Sequence, residues 1–311
     1  MSRRADLKPI TLSISAVERD TGLSKDTLRV WERRYGFPTP DRDGIGERAY
    51  PLDQVEKLRI VKRLLDAGHR PGRMVPMPVD ELHRLSETTV GLAARAHPAQ
   101  ATPDLSGYLD LLREHRVEAL RRQLGQARVQ LGLGRFVIEV ISSLNTLVGE
   151  AWMRGQLEIF EEHLYSESVQ VVLREAIHSV PVGTPIDRPC VLLTTFPGEP
   201  HGLGLLMAEA LLAVDGARCL SLGVQTPIWD TVLAAAACRC DIVALSFSGC
   251  MNPNQVVDGL AELRAKLPQG VELWAGGSAP VLHRRPLPGV TAMASLNQIH
   301  AEVSRWRGLA R

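Results

Sequence analysis

The sequence predicts a multidomain fold: a small winged α-helical head, then a four-helix bundle, then a doubly wound α/β domain around a parallel sheet. Three observations predict it. Residues 10–73 combine short capped helices, a glycine turn and a turn-rich hairpin. Residues 104–180 repeat apolar side chains at the spacing of amphipathic helices. Residues 188–311 alternate short, nearly continuous apolar runs with helical stretches, as strands buried on both faces require.

Bulk properties bound the answer. The chain has 311 residues, 45% of them hydrophobic, enough for two or three domains without disulfide staples. A formal charge of +1 hides an asymmetry: residues 1–75 carry 16 Lys and Arg against 11 Asp and Glu, the remainder 20 against 24. A basic head on an acidic body points to a nucleic-acid partner for the head. Five cysteines (Cys190, Cys219, Cys238, Cys240, Cys250) form no CxxC, and Cys238-Arg239-Cys240 is the only close pair, so buried or incidental thiols are expected. Met1-Ser2-Arg3-Arg4-Ala5-Asp6 leads into polar sequence with no apolar leader, and no run approaches the roughly 20 apolar residues of a membrane span. A cytoplasmic protein without membrane contact is expected.

In residues 10–73, Ile14, Val17, Leu23 and Leu28 mark two short helical faces broken at Thr21-Gly22-Leu23-Ser24. Ser24 suits the N-cap of a helix from Lys25 to Arg34, because its hydroxyl satisfies an orphan N–H of the first turn. Helix, glycine turn and capped second helix make a helix-turn-helix. The second helix carries Lys25, Thr27, Arg29, Arg33 and Arg34, side chains suited to phosphates and base edges in a major groove. Asp41-Arg42-Asp43-Gly44-Ile45-Gly46 reads as the turn of a β-wing returning through Arg48-Ala49-Tyr50. A third helix, Leu52 to Ala67, stops at Gly68 with Pro71 beyond.

These residues resemble the MerR family of winged-helix regulators. The resemblance rests on Ile14, Val17, Thr21-Gly22-Leu23-Ser24, Thr27-Leu28-Arg29, Trp31-Glu32-Arg33-Arg34-Tyr35-Gly36, and Arg48-x-Tyr50. It implies double-stranded operator DNA as partner, contacted by Ser24, Lys25, Thr27, Arg29, Arg33, Arg34, Tyr35, Arg48 and Tyr50. The family's wing reads Gly-Gly-His-Arg-x-Tyr; here Glu47 stands before Arg48 and brings a negative charge toward the phosphates.

Residues 74–103, rich in Pro and Ala, read as a flexible linker with a short helix at Val79–Leu85. Residues 104–180 then give four amphipathic helices. Trp152 falls near the end of the third, Glu162-His163 near the start of the fourth. Taken alone, Trp152 reads as core.

In residues 188–311, strands are expected at Val191–Thr194, Leu220–Leu222, Ile242–Ser246, Val271–Ala275 and near Val290–Ala294. Helices are expected at His201–Val214, Ile228–Cys238, Asn254–Leu267 and Gln298–Trp306. This is a doubly wound, flavodoxin-like sheet, which binds ligands outside the carboxyl ends of its strands. His201 falls there, flanked by Gly202 and Gly204, with Ser246-Phe247-Ser248 and Gly276-Gly277 along the same edge. Small residues let a large planar ligand approach the backbone, and Glu199 is placed to orient the imidazole.

Glu199-x-His201-x-x-Gly204, Ser246-x-Ser248 and Gly276-Gly277 resemble the cobalamin-binding module, with Ser248 a mild departure from its Ser-x-Leu/Thr element. Trp152-x9-Glu162-His163 resembles the cap that covers adenosylcobalamin in light-sensing regulators. In this order the three parts resemble the CarH/LitR photoreceptor family over nearly the whole chain. The resemblance implies a non-enzymatic, homo-oligomeric transcriptional repressor controlled by adenosylcobalamin, and possibly by light. His201 is the implied lower axial cobalt ligand, with Trp152, Met153, Glu162 and His163 on the upper face. Where the light-sensing members carry a His after the Trp, this chain has Met153. Glu47, Met153 and Ser248 leave a second reading open: a regulator whose α/β domain is cobalamin-independent, or takes another tetrapyrrole or a partner protein.

Overall fold

The computed structural model describes residues 11–96, 105–180 and 188–309, except 45, 67, 250 and 285. The chain divides into two compact units: Met1–Pro98 with Met153–Gln156, and Ala99–Trp152 with Leu157–Arg311.

In the first unit a three-stranded antiparallel sheet has the order β1 (Thr11–Ser13), β3 (Arg48–Pro51), β2 (Asp41–Arg42). The helix Ile14–Thr21 starts on Ser13, whose hydroxyl accepts from Ala16 N, and ends at Gly22 with φ +70°. That left-handed conformation costs glycine little. Ser24 caps the helix Lys25–Tyr35 by accepting from Thr27 N at 3.1 Å, the role its sequence position predicts. Helices Leu52–Asp66, Pro71–Met74 and Val79–Ala96 complete the unit. Its core is built on Val17, Leu28, Trp31, Leu58, Leu64 and Leu82, all buried.

Two expectations change here. Strand β1 was not apparent because an alternation over three residues is too short to mark a strand. The presumed linker is helical as far as Ala96, not only to Leu85, because Leu82 anchors its first turns and alanine is the strongest helix former in the run that follows. Residues 97–103 of the expected linker lie outside the described residues.

The second unit begins with four helices: Ser106–Arg113, Val117–Leu131, Leu133–Met153 and Ile159–His178. The third contains a π-helical stretch at Phe136–Ile141. The fourth opens with a capping box, in which Glu158 and Glu161 exchange side-chain and backbone hydrogen bonds. Among the described residues Leu133–Met153 is long and apolar enough to cross a bilayer, but Phe136, Val137, Ile141 and Leu144 are fully buried in the bundle.

A five-stranded parallel sheet follows, in the order β5 (Arg218–Ser221), β4 (Cys190–Thr194), β6 (Ile242–Phe247), β7 (Glu272–Gly277), β8 (Val290–Ala292). This is the flavodoxin-like order, with the first strand beside the second and third. Helices Leu203–Val214, Ile228–Ala237, Pro253–Lys266, Val281–Arg284 and Gln298–Leu309 connect and follow the strands. On one face Val191, Leu193, Ile242 and Trp274 share a continuous core with the bundle; on the other Leu192, Val243 and Leu273 pack under Val256 and Leu260. Strand β5 departs from the expected two-sided burial. It is an edge strand, and its residues are half-buried or exposed.

Candidate cofactor site and nucleic-acid interface

The loop leaving β4 carries Glu199 and His201, and the loop leaving β6 carries Ser248. Glu199 is completely buried, and both of its carboxylate oxygens are hydrogen-bonded. Its Oε1 accepts from His201 N at 3.1 Å and pairs with His201 Nδ1 at 2.6 Å; its Oε2 accepts from Ser248 N and Ser248 Oγ, both at 2.7 Å. Burial alone pushes this carboxyl up. The hydrogen bonds from His201 and Ser248 outweigh it and hold the group below the ordinary carboxylate value. An ionised Glu199 therefore accepts a hydrogen bond from His201 Nδ1–H, which leaves Nε2 of the neutral ring with the lone pair. The imidazole itself is 58% exposed.

The backbone around this triad is held from below by two threonines that sequence reasoning missed. Thr195 Oγ1 donates to Glu199 O at 2.7 Å and accepts from Gln225 N at 2.8 Å. Thr194 Oγ1 bonds Thr226 Oγ1 at 2.7 Å. Both threonines are fully buried at the end of β4. Polar side chains closing an otherwise apolar strand were the available signal.

The expected small residues share this sheet edge. Ser246 pairs with Gly276 and Phe247 with Gly277 across β6 and β7. A Cβ on Gly204 would come 3.1 Å from Ser246 Oγ; one on Gly277, at φ +110°, would come 2.2 Å from Phe247 O. Gly277 is thus demanded by the protein's own packing, not only by room for a ligand, while at Gly204 a side chain would be tight against Ser246.

In the bundle, Glu162 is half-buried and His163 exposed. Glu162 Oε2 lies 2.9 Å from His163 Nδ1, and Oε1 accepts from Ser166 Oγ at 2.6 Å. Trp152, half-buried, is the penultimate residue of the preceding helix. Met153, the next residue, is half-buried. The bundle helix Ile159–His178 packs along Leu203–Val214, the helix that begins two residues after His201. A polar chain crosses that contact: Tyr165 OH donates to Asn145 Oδ1 at 2.6 Å, and Asn145 Nδ2 reaches Met207 Sδ at 3.1 Å.

In the first unit, Arg29, Arg33 and Arg34 are exposed on the helix Lys25–Tyr35, with Lys25, Thr27 and Tyr35 half-buried. Arg29 pairs with Asp26 at 3.2 Å, and the Arg34 guanidinium lies 5.4 Å from the Tyr35 ring centre. Ser24 is exposed but occupied as the cap. One expected DNA contact is corrected, and a second has a partner within the protein. Tyr50 is fully buried in the core, because β3 turns alternate residues inward and Tyr50 falls on the inner face. Arg48 is ion-paired with Glu32 at 2.9 Å, an anchor of the wing against the recognition helix. Glu47 is exposed, and its N–H donates to Asp43 Oδ1 at 2.8 Å to close the wing turn.

Residues 12–73 match the family model described as MerR HTH family regulatory protein, which defines the class: a MerR-type helix-turn-helix regulator. Over 284 residues the chain is 32% identical to the HTH-type transcriptional repressor CarH of Myxococcus xanthus, covering 88% of this chain and 91% of that protein. It is 30% identical over 276 residues to the HTH-type transcriptional repressor CarA of Myxococcus xanthus, covering 83% and 84%. The chain belongs to this CarH/CarA family and is a DNA-binding transcriptional regulator. The Methanosarcina barkeri monomethylamine corrinoid protein superposes with a TM-score of 0.51 at 13% identity, over 65% of this chain and 96% of that one, a likeness of fold.

Proposed function

We propose that this chain is a cytoplasmic repressor, not an enzyme, whose oligomerisation and binding to double-stranded operator DNA are controlled by adenosylcobalamin. In this division of labour residues 10–73 bind DNA, 74–103 link, 104–180 cap the cofactor and 188–311 carry it. The observation that supports it most is the buried carboxylate of Glu199 holding the Nδ1 of a solvent-facing imidazole. Metal-ligating histidines characteristically have such a partner, which fixes ring orientation and raises ligand basicity. The residues present fit the group: His201 would ligate the cobalt, and Gly202, Gly204, Ser246, Gly276 and Gly277 leave a lip of small side chains for a corrin ring.

Trp152, Glu162 and His163 would cover the opposite face. Adenosylcobalamin would supply a photolabile carbon–cobalt bond beneath that cap. The rest is work for the chain. Glu199 fixes the ring orientation of His201 through Nδ1; Ser248 keeps Glu199 in place; the bundle helix Ile159–His178 rides on the helix that follows His201. Bringing several DNA-binding heads together raises affinity by avidity, on the order of 100-fold or more, without any new contact.

Met153 supports a restricted second reading. A thioether stands there in place of the imidazole that light-sensing members carry, so in this reading light control through the residue after Trp152 is altered or absent. Sizing and gel shifts of the protein without cofactor, with adenosylcobalamin in the dark, and after green light test the proposal. Larger oligomers and stronger operator binding with cofactor support it. Operator binding indifferent to cofactor refutes it and favours a cobalamin-independent regulator.

A further inference from the structure

At the opposite end of the sheet from His201, the first residue of β4 and the residue two before β6 face one another. Cys190 Sγ lies 3.7 Å from Cys240 Sγ, and both residues are buried. The backbone around them is fixed: Cys190 N donates to Asp241 Oδ2 at 2.8 Å, Asp241 N to Cys190 O at 2.8 Å, and Cys240 N to Ala235 O at 2.9 Å. Arg218 stands opposite Cys190 where the edge strand β5 pairs with β4, and its guanidinium reaches the Cys238 carbonyl at 3.4 Å. Arg218 is exposed, so Cys190 stands one side chain away from solvent.

We propose that Cys190 and Cys240 form a dithiol modification site that a hydroperoxide converts to a disulfide. The two thiols differ in their surroundings. Cys190 stands opposite the exposed Arg218 of the edge strand β5, the side from which a peroxide reaches it. Burial, with Cys190 as neighbour, pushes the Cys240 thiol up to about 12, which keeps it protonated until it resolves the intermediate. In the first step the Cys190 thiolate attacks one peroxide oxygen, the O–O bond breaks, and sulfenic acid and hydroxide (or alkoxide) form. In the second, the Cys240 sulfur attacks the sulfenic sulfur, the S–O bond breaks, and the departing hydroxide takes the Cys240 proton as water. Two thiols are oxidised by two electrons and one peroxide is reduced. The sulfurs must close by about 1.7 Å to reach bonding distance. The bond would tie together the two strands that deliver Glu199 and Ser248 at their far ends.

Full-length protein treated with hydrogen peroxide, blocked with a thiol-alkylating reagent and digested without reductant should yield a peptide pair joining Cys190 to Cys240. The cross-linked pair should be lighter than the two free thiols by about 2 Da and revert with dithiothreitol. Cys190→Ser and Cys240→Ser should each abolish the pair, and Cys238→Ser should leave it. Peroxide that modifies other cysteines of the folded wild-type protein while Cys190 and Cys240 stay alkylatable overturns the proposal, whatever the variants do.

Discussion

Replacing Glu199 with glutamine probes the site with almost no change in shape. The carboxylate accepts four hydrogen bonds, two from His201 through Oε1 and two from Ser248 through Oε2. An amide has one acceptor oxygen and one NH2 group, so whichever way it turns it presents donors to donors on one side. With the oxygen toward Ser248, His201 loses the charge-assisted bond that fixes its tautomer. With the oxygen toward His201, the buried Ser248 N–H is unsatisfied. A hydrogen bond to a charged group contributes about 1.5–3 kcal/mol, and about 1.4 kcal/mol is a factor of ten. Cobalamin affinity should therefore fall about 10- to 100-fold, the range also typical for partners of metal-ligating histidines. The assay is an absorbance titration of Glu199→Gln and wild type with adenosylcobalamin, with circular dichroism to confirm the fold. A folded Glu199→Gln protein that binds as tightly as wild type refutes the reasoning.

Three further outcomes follow from the same geometry. Tyr50→Phe should leave operator affinity unchanged and leave stability equal or raised by about 1 kcal/mol, since the buried hydroxyl meets no hydrogen-bond partner among the described residues; a several-fold loss of DNA binding in a gel shift would restore Tyr50 to the interface. Ser24→Ala removes the cap of the recognition helix and should destabilise the first unit by about 1 kcal/mol, read from urea unfolding; no change would mean the cap is not used. Glu199 is depressed in the folded state, so its stabilisation is complete above the ordinary value of 4.5 and is lost as pH falls through the folded value. Acid unfolding of Glu199→Gln should accordingly show a shallower pH dependence than wild type in that window, and equal slopes would contradict the assignment.

Local chemistry was the legible part of the sequence. Ser24 and Gly22 announce a cap and a turn through properties of single residues, and the apolar runs at β4, β6 and β7 can pack only between two layers. Glu199 and His201 are two positions apart, so their partnership could be read from spacing. Ser248 is 49 positions from Glu199, and only the parallel pairing of β4 with β6 brings it there; its apparent misfit in the motif is the second hydrogen-bond partner of the carboxylate. Tyr50 shows the opposite failure. A motif marked it as a contact residue, while the pleat of a four-residue strand sent its ring into the core. The helix Val79–Ala96 was obscured because proline on either side suggested a linker, whereas the residues between them favour helix.

The central claim is that His201, held by Glu199, is the point at which a corrinoid binds. Its most direct test is the absorption spectrum of wild type and His201→Ala titrated with adenosylcobalamin in the dark. Uptake with a shifted cobalt spectrum in wild type, with the shift abolished in the folded His201→Ala protein, is the predicted result. No uptake by wild type, or an identical shift in both, would contradict the account.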